Sequence, residues 1–517
     1  MPAIAAPAGG LGRQLDALAG RHVVFLNWRD LEHPQAGGAE LYCQSVAERF
    51  AAAGARVSLL TSRPAGTRRS QIVRGITINR SGGTFGVYPA TLARLLRDRH
   101  SIDAVVDCQN GIPFFSPLVL PATPVVQILH HVHQRQFPLY FPAPVARIGQ
   151  LLETPGSRWV YRRCPVAVVS PSTRDEAWEI LRLRGPRFIV PGGVDTPRDD
   201  GPSRPADRPT IVCVGRLVPH KRLHLLLDAL PALRAAHPGL VVDLVGDGPD
   251  RERLGRHAAG LGLGDDVVRW HGYVEDRQRD QLLSTAWLTV NPSHGEGWGL
   301  SVLEANAHGV PAVAFRVPGL RDAVRHGHTG WLADDADGLG PTIDMALSAL
   351  ADPVTAARWR DRARAWAACF SWDATAELLA RVVTTEIDRL SSRAPGRHPR
   401  ESRRADLLVT RAEFPLPSTQ ALPALRRTDL IYRNVPDRDE PCQSGTGRAG
   451  DGFDRAVAVL YGAGPADARA ALDRAGVTGP IEVRTATGED LLIAAVRCAL
   501  PDAVQADSPV AGASSSF

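Results

Sequence analysis

The sequence predicts an α/β protein: two parallel-sheet domains followed by a smaller α/β segment. Three observations point there. Short apolar runs of strand type alternate with segments of helical spacing, the pattern of a parallel sheet covered by helices. The alternation runs through 21–195, breaks at a Pro-, Asp- and Arg-rich stretch over 196–209, and restarts over 210–390. A basic Pro/Gly/Ser stretch at 391–405 then sets off a third segment, 406–500. At roughly 100–200 residues per domain, the 517 residues agree with this division.

Taken in order, residues 1–20 read as an Ala/Gly-rich leader, without the basic start and apolar core of a signal peptide. His22–Asn27 is the first strand. A loop with Pro34, Gly37 and Gly38 leads into a helix over Ala39–Ala53, which places Leu41, Val46 and Phe50 near one face and ends at Gly54. Arg56–Thr61, Ile102–Val106, Val125–Leu129 and Val166–Ser170 read as further strands. In the second domain Thr210–Val214, Val241–Val245, Val267–Trp270, Leu288–Asn291 and Pro311–Phe315 read as strands. The helices between them are Leu223–Ala235, Asp250–Leu261, Gln278–Thr285 and Leu300–His308, and Ala374–Leu390 closes the unit. The third segment offers strands at Leu430–Tyr432, Val457–Tyr461 and Ile481–Arg484, with helices from Pro465 and from Asp490. The loop near 436–454 and the tail 501–517 read as disordered.

Composition excludes several classes. With 44% hydrophobic and 22% charged residues the chain is neither mainly disordered nor a polytopic membrane protein. Its longest apolar stretch, Ile112–Leu120, is broken by prolines and too short for a bilayer. A net charge of +5 does not make a dedicated nucleic-acid binder. Seven widely spaced cysteines without a Cys-x-x-Cys pair suit a reducing cytosol rather than disulfides or zinc. The chain has one lysine, Lys221, against a background of arginine.

Four motifs carry chemistry. Ala36-Gly37-Gly38-Ala39-Glu40 joins a strand to a helix, where paired glycines and a helix N-terminus suit a phosphate; taken alone, a plain tight turn with Glu40 on the helix dipole is the better reading. Gly215-Arg216-Leu217…His220-Lys221 follows a strand directly, so Arg216 and Lys221 stand where a sheet offers its ligand crevice. Glu296-Gly297-Trp298-Gly299-Leu300-Ser301-Val302-Leu303-Glu304 spaces two carboxylates around a Gly-rich turn. Ser301-x-x-Glu304 also fits a capping box, which leaves Glu296 and the glycines unexplained. His130-His131-x-His133 lacks partners at metal spacing, so one histidine lining a cleft is the better reading. Asp335-Ala336-Asp337 and Asp437-Arg438-Asp439 read as solvated charge.

In order and spacing these motifs resemble the retaining glycosyltransferases of family 4, which have the GT-B fold: two Rossmann-like domains facing across a cleft. The resemblance runs over about 20–390 and is strongest in Gly215-Arg216…Lys221, Gly246-Asp247-Gly248-Pro249, Pro292-Ser293…Glu296-Gly297-Trp298-Gly299-Leu300…Glu304-Ala305 and Gly309-Val310-Pro311. It implies that Arg216 and Lys221 bind the donor diphosphate, Glu304 the ribose and Glu296 the donor sugar. The backbone of Leu300 and Ser301 would contact the phosphates, with Gly37 and Gly38 approaching them from the other domain. Asp247 would lie near the base, and His130, or His131 next to it, would touch the sugar. Three departures stand out: Gly192-Gly193-Val194-Asp195 where the family often has Asn-Gly-Val-Asp, Trp298 for the usual Phe, and the segment from 406, which has no counterpart.

The expected function is metal-independent transfer of a hexose from a UDP- or GDP-sugar, with no resident cofactor, to a glycan, lipid or small-molecule acceptor. The expected location is the cytoplasm. Peripheral contact with the inner face of the membrane would run through Arg63, Arg68, Arg69, Arg74, Arg94, Arg97 and Arg99, weighed against the plainer reading of these as a solvated face. A catalytically degenerate nucleotide-sugar-binding regulator and a GT-B epimerase remain as alternatives.

Overall fold

The computed structural model describes residues 13–197, 205–391, 409–417, 430–434, 453–461, 463–477 and 479–499. They fall into two compact units: 194–371, and everything described before 194 and after 371.

The first unit holds a sheet of β1 (His22–Leu26), β2 (Arg56–Thr61), β3 (Ser70–Val73), β4 (Ile76–Arg80), β5 (Ala104–Asn110), β6 (Val125–His131), β7 (Val166–Val168) and β8 (Arg187–Ile189). Its order is β3-β4-β2-β1-β5-β6-β7-β8. All neighbours pair in parallel except the β3–β4 hairpin. β1 and β5 are buried almost throughout, as apolar strands covered on both faces must be. The chain builds outward from β1 through β2 to β4, then returns to the other side of β1 with β5. The sheet therefore has its topological switch point between β1 and β5. The sequence gives little sign of β3, a short and half-exposed edge strand.

The second unit is wound the same way. Its strands are β9 (Thr210–Val214), β10 (Val241–Val245), β11 (Val268–Gly272), β12 (Leu288–Asn291), β13 (Ala312–Phe315) and β14 (Gly330–Ala333), in the order β11-β10-β9-β12-β13-β14. All pairs are parallel, and the switch point lies between β9 and β12. Leu226, Leu230 and Leu233 of the His224–Ala236 helix and Ile343 and Leu347 of the Ala336–Leu350 helix pack on one face of the sheet to form the core.

Two segments sit elsewhere than the sequence pattern suggests. The Trp372–Ser391 helix, expected to close the second domain, is buried along most of its length in the first unit. Its Glu377 accepts backbone N–H groups of Gln14 (3.0 Å) and Leu15 (3.2 Å), and Leu18 is fully buried. The described end of the stretch read as a leader is thus docked on this helix.

The third segment also belongs to the first unit. It is an antiparallel sheet of β15 (Val409–Pro417), β16 (Leu430–Asn434), β17 (Phe453–Tyr461) and β18 (Glu482–Thr485), ordered β16-β17-β15-β18. β15 was hidden in the sequence by Pro415 and Pro417. Its partner β18 spans only Thr410–Glu413, so both prolines lie where that side of the strand is unpaired. Phe188 of β8 meets Tyr461 with ring centres 5.0 Å apart, fixing the segment to the first sheet. Of the loop expected near 436–454, residues 453 and 454 instead begin β17, while the rest and the tail 501–517 lie outside the described residues.

The carboxyl ends of β9 and β10 come together through a close backbone approach. Gly246 has φ of +128°, and a Cβ there would lie 2.0 Å from the carbonyl oxygen of Gly215. Gly262 is also left-handed, at +72°, but faces open space. Gly246→Ala should therefore cost more than about 3 kcal/mol of stability and Gly262→Ala only about 1–2 kcal/mol. Urea denaturation of both variants checks the difference.

Candidate active site

The loops after β9 and β12 meet at the switch point of the second sheet. His294 N–H donates to the His220 carbonyl at 2.9 Å, tying one loop to the other. This brings the Lys221 ammonium to 2.5 Å from Glu296 Oε1, each side chain only 18% exposed. The Ser293 hydroxyl lies 2.6 Å from both Glu296 Oε1 and Asn291 Oδ1. Burial opposes the charged form of Glu296, but Lys221, its hydrogen bond, Ser293 and His220 outweigh it and hold the carboxyl at about 2. Arg216 stands half-buried in the same loop.

The Gly-rich turn that follows is clamped from two sides. Gly319, at φ +78°, leaves room for the Glu296 carbonyl; a Cβ would come within 2.2 Å of it. Trp298 is buried edge-on against Phe370 at 5.1 Å, and Phe370 against Trp366 at 4.7 Å. The aromatic exchange at Trp298 thus fills the core below the turn.

The Leu300–Ala307 helix begins after Gly299, which is left-handed at φ +91°. Ser301 is already inside the first turn, so the capping box with Glu304 does not form and no side chain caps this N-terminus. The N–H groups of Leu300 and Ser301 have no intrahelical acceptor. Glu304 is half-buried, and no group among the described residues hydrogen-bonds its carboxylate. Burial raises its pKa; Arg279 opposes this, while Asp195, Asp280 and Asp276 add to it. Asp247 is exposed and turned onto its own loop, accepting the Gly248 N–H at 2.7 Å. Asp335 caps the Ala336–Leu350 helix through the Gly338 N–H at 2.8 Å, which accounts for the first Asp-x-Asp pair. The second pair lies outside the described residues.

At the switch point of the first sheet, Gly37 and Gly38 lead into the Gly38–Ala52 helix. Buried Glu40 accepts the Gly37 N–H at 2.7 Å and Arg29 Nε at 3.1 Å. It locks the loop onto the helix and leaves Gly38 exposed. His130, next to last in β6, is buried edge-on against Tyr42 at 5.0 Å, with no partner for Nε2 among the described residues. Burial, with a smaller contribution from His133, pushes its pKa down to about 3, so the ring is neutral at ordinary pH. His131 is half-buried, its ring edge-on to that of His133 at 5.3 Å. The His133 N–H donates to buried Glu153 at 2.7 Å.

Two family patterns cover these two sites. "Glycosyltransferase Family 4" matches residues 36–198, and "Glycosyl transferases group 1" matches 197–366. The chain belongs to glycosyltransferase family 4. It is 36% identical over 198 residues to a GDP-mannose-dependent alpha-(1-6)-phosphatidylinositol monomannoside mannosyltransferase of Mycolicibacterium smegmatis, covering 34% of this chain and 50% of that one. It is 38% identical over 201 residues to a D-inositol 3-phosphate glycosyltransferase of Thermobispora bispora, covering 37% and 46%. The chain thus spans about half the length of these curated relatives. Among solved structures it resembles a sucrose-phosphate synthase from Thermosynechococcus elongatus, with a TM-score of 0.61 at 21% identity over 71% of this chain and 100% of that one. WaaG, a glycosyltransferase involved in lipopolysaccharide biosynthesis, gives 0.54 at 17% identity over 70% and 99%. The fold of this family-4 glycosyltransferase is GT-B.

Sequence reasoning placed Lys221 and Glu296 in separate roles and missed their pairing, which joins residues 75 positions apart. It also missed Arg279 opposite Glu304, for which no sequence signal exists. Ser293 and Asn291 could have been found, since both flank the strand end that delivers Glu296. Lys221→Met should leave a mostly buried carboxylate unpaired and cost about 2–3 kcal/mol. Adding Glu296→Gln should recover part of that loss, because the removed interaction is mutual. The pair's contribution in the wild type should be complete above the ordinary carboxylate value of 4.5 and fade as pH falls toward about 2. Urea unfolding of the two single variants and the double variant, repeated at pH 7 and 3, measures both effects.

Proposed function

We propose that the protein is a retaining glycosyltransferase that moves a hexose from a UDP- or GDP-sugar to a glycan, lipid or small-molecule acceptor, using fixed protein cations in place of a metal. The observation that carries this reading is the Lys221–Glu296 pair beside an uncapped helix start and an unbonded Glu304. In this reading the donor diphosphate replaces Glu296 as the counter-ion of Lys221. Arg216 and the free N–H groups of Leu300 and Ser301 bind the remaining phosphate oxygens. Glu304, raised in pKa by burial, accepts from the ribose hydroxyls, and Asp247 lies toward the base. Glu296, released from Lys221, takes hydroxyls of the donor sugar.

As the glycosidic bond breaks, charge gathers on the leaving diphosphate and positive charge develops at the sugar. Cations already in place stabilise the first without reorganising, and this is the main catalytic contribution. The leaving phosphate takes the proton of the acceptor hydroxyl, whose oxygen bonds to the sugar on the face the phosphate departs from, so the configuration is retained and no protein carboxylate needs to act as nucleophile. A glycosyl adduct trapped on Glu296 would overturn that step. One named relative is a GDP-mannose-dependent phosphatidylinositol monomannoside mannosyltransferase and the other a D-inositol 3-phosphate glycosyltransferase, which makes GDP-mannose the first donor and an inositol phosphate the first acceptor to try.

Calorimetric titration with UDP, GDP and ADP tests the donor site. One nucleotide should bind at micromolar affinity, and Glu304→Ala should weaken it by about 1.5–3 kcal/mol, the worth of hydrogen bonds to a charged acceptor. Equal binding by the variant would reduce Glu304 to a structural carboxylate.

A further inference from the structure

One stretch of the first unit inverts the usual rule of burial. In the Ala143–Leu151 helix the small residues Ala146 and Gly149 face inward, Gly149 packed under the ring of Phe137. The large residues Val145, Ile148 and Leu151, spaced three apart, face outward at 41%, 58% and 49% exposure. Leu139 and Phe141 before the helix and Trp159 after it are exposed too. Elsewhere exposed large apolar residues such as Ile72, Phe85 and Tyr273 are scattered through the sequence. A contiguous apolar surface of this kind marks a docking site.

Charge indicates what docks there. Between 135 and 163 the exposed charged residues are all arginines: Arg135, Arg147, Arg158, Arg162 and Arg163. The one acid of the stretch, Glu153, is buried, held by the His133 N–H and by Gln134 Nε2 at 2.7 Å each. Of the arginines flagged by sequence alone, three carry their own counter-charges: Arg74 pairs with Glu48, and Arg94 and Arg97 with Asp98. No helix of the described residues is long and apolar enough to cross a membrane.

We propose that the surface formed by 139–159 inserts shallowly into an anionic lipid bilayer, its apolar side chains among the acyl chains and its arginines at the headgroups. Short helices with large apolar residues on one side, an aromatic at the boundary and uncompensated arginine are the elements of interfacial binding. Glu153 ties this surface to the end of β6, so the bilayer would lie beside His131 and His133. The inference does not depend on the transfer reaction.

The test is sedimentation of the full chain with vesicles of phosphatidylcholine alone and of phosphatidylcholine with one third phosphatidylglycerol, at low salt and at about 1 M salt. The protein should bind the anionic vesicles at low salt and lose them at high salt. The double variant Ile148→Ser/Leu151→Ser should bind at least roughly tenfold more weakly, given the value of each buried apolar side chain, with an unchanged melting temperature. Ile72→Ser, an exposed apolar residue outside the surface, should bind like wild type. Failure to bind either vesicle, indifference to lipid charge, or wild-type binding by the double variant would overturn the proposal. So would a wild-type dimer that the double variant converts to monomer, since the surface would then be covered by a second copy.

Discussion

The second unit depends on one electrostatic arrangement: an ammonium and a carboxylate held together where its sheet changes direction. At the β9/β12 switch point the two strands send their following loops apart, and a crevice opens between them. Lys221 and Glu296 close it. Their pairing in a mostly buried place is costly in desolvation, and a hydrophobic pair would hold the loops as well. In the proposed reading, what the ion pair adds is exchangeability, because an entering diphosphate would take the carboxylate's place at the same ammonium. That reading gives the only lysine in the chain a role. A compact ammonium can pass from one oxygen to another on a flexible stem, whereas a guanidinium is committed to a planar fork.

The backbone around that pair is arranged for close approach. Gly246 touches the Gly215 carbonyl and Gly319 the Glu296 carbonyl, so side chains are excluded where the loops must meet. The left-handed Gly299 starts a helix without a side-chain cap, so its first N–H groups have no intrahelical acceptor. The first sheet uses its own switch point differently. There Glu40 is consumed in closing the Gly37–Gly38 turn with Arg29, and only the glycines stay accessible.

Much of this was legible in the sequence because parallel strands are apolar throughout and their loops carry Gly, Pro and charge at fixed offsets. β9, β10 and β12 begin and end where the apolar runs do. What was not legible depends on distant contacts or on backbone angles. Ser301 and Glu304 have the spacing of a capping box, but the helix already begins at Leu300, after the left-handed Gly299, so Ser301 lies inside it and cannot cap it. Trp372–Ser391 has the period of a helix, yet period cannot say which sheet it covers. β15 carries two prolines that argue against a strand until the register shows one side of it unpaired. The outward face of Ala143–Leu151 is invisible to periodicity, which finds an apolar stripe and assumes that it points inward.

The central claim is that Lys221 recognises a diphosphate by giving up Glu296. The most direct measurement compares the affinity of a nucleoside diphosphate with that of the same nucleoside, in wild type and in Lys221→Met, at a temperature where both are folded. The account predicts that wild type prefers the diphosphate by roughly a hundredfold or more, as fits two or more charge-assisted contacts. The variant should lose most of that preference while binding the nucleoside unchanged. If the variant keeps the preference, or loses nucleoside and diphosphate alike, Lys221 is a structural partner of Glu296 and the diphosphate is held elsewhere.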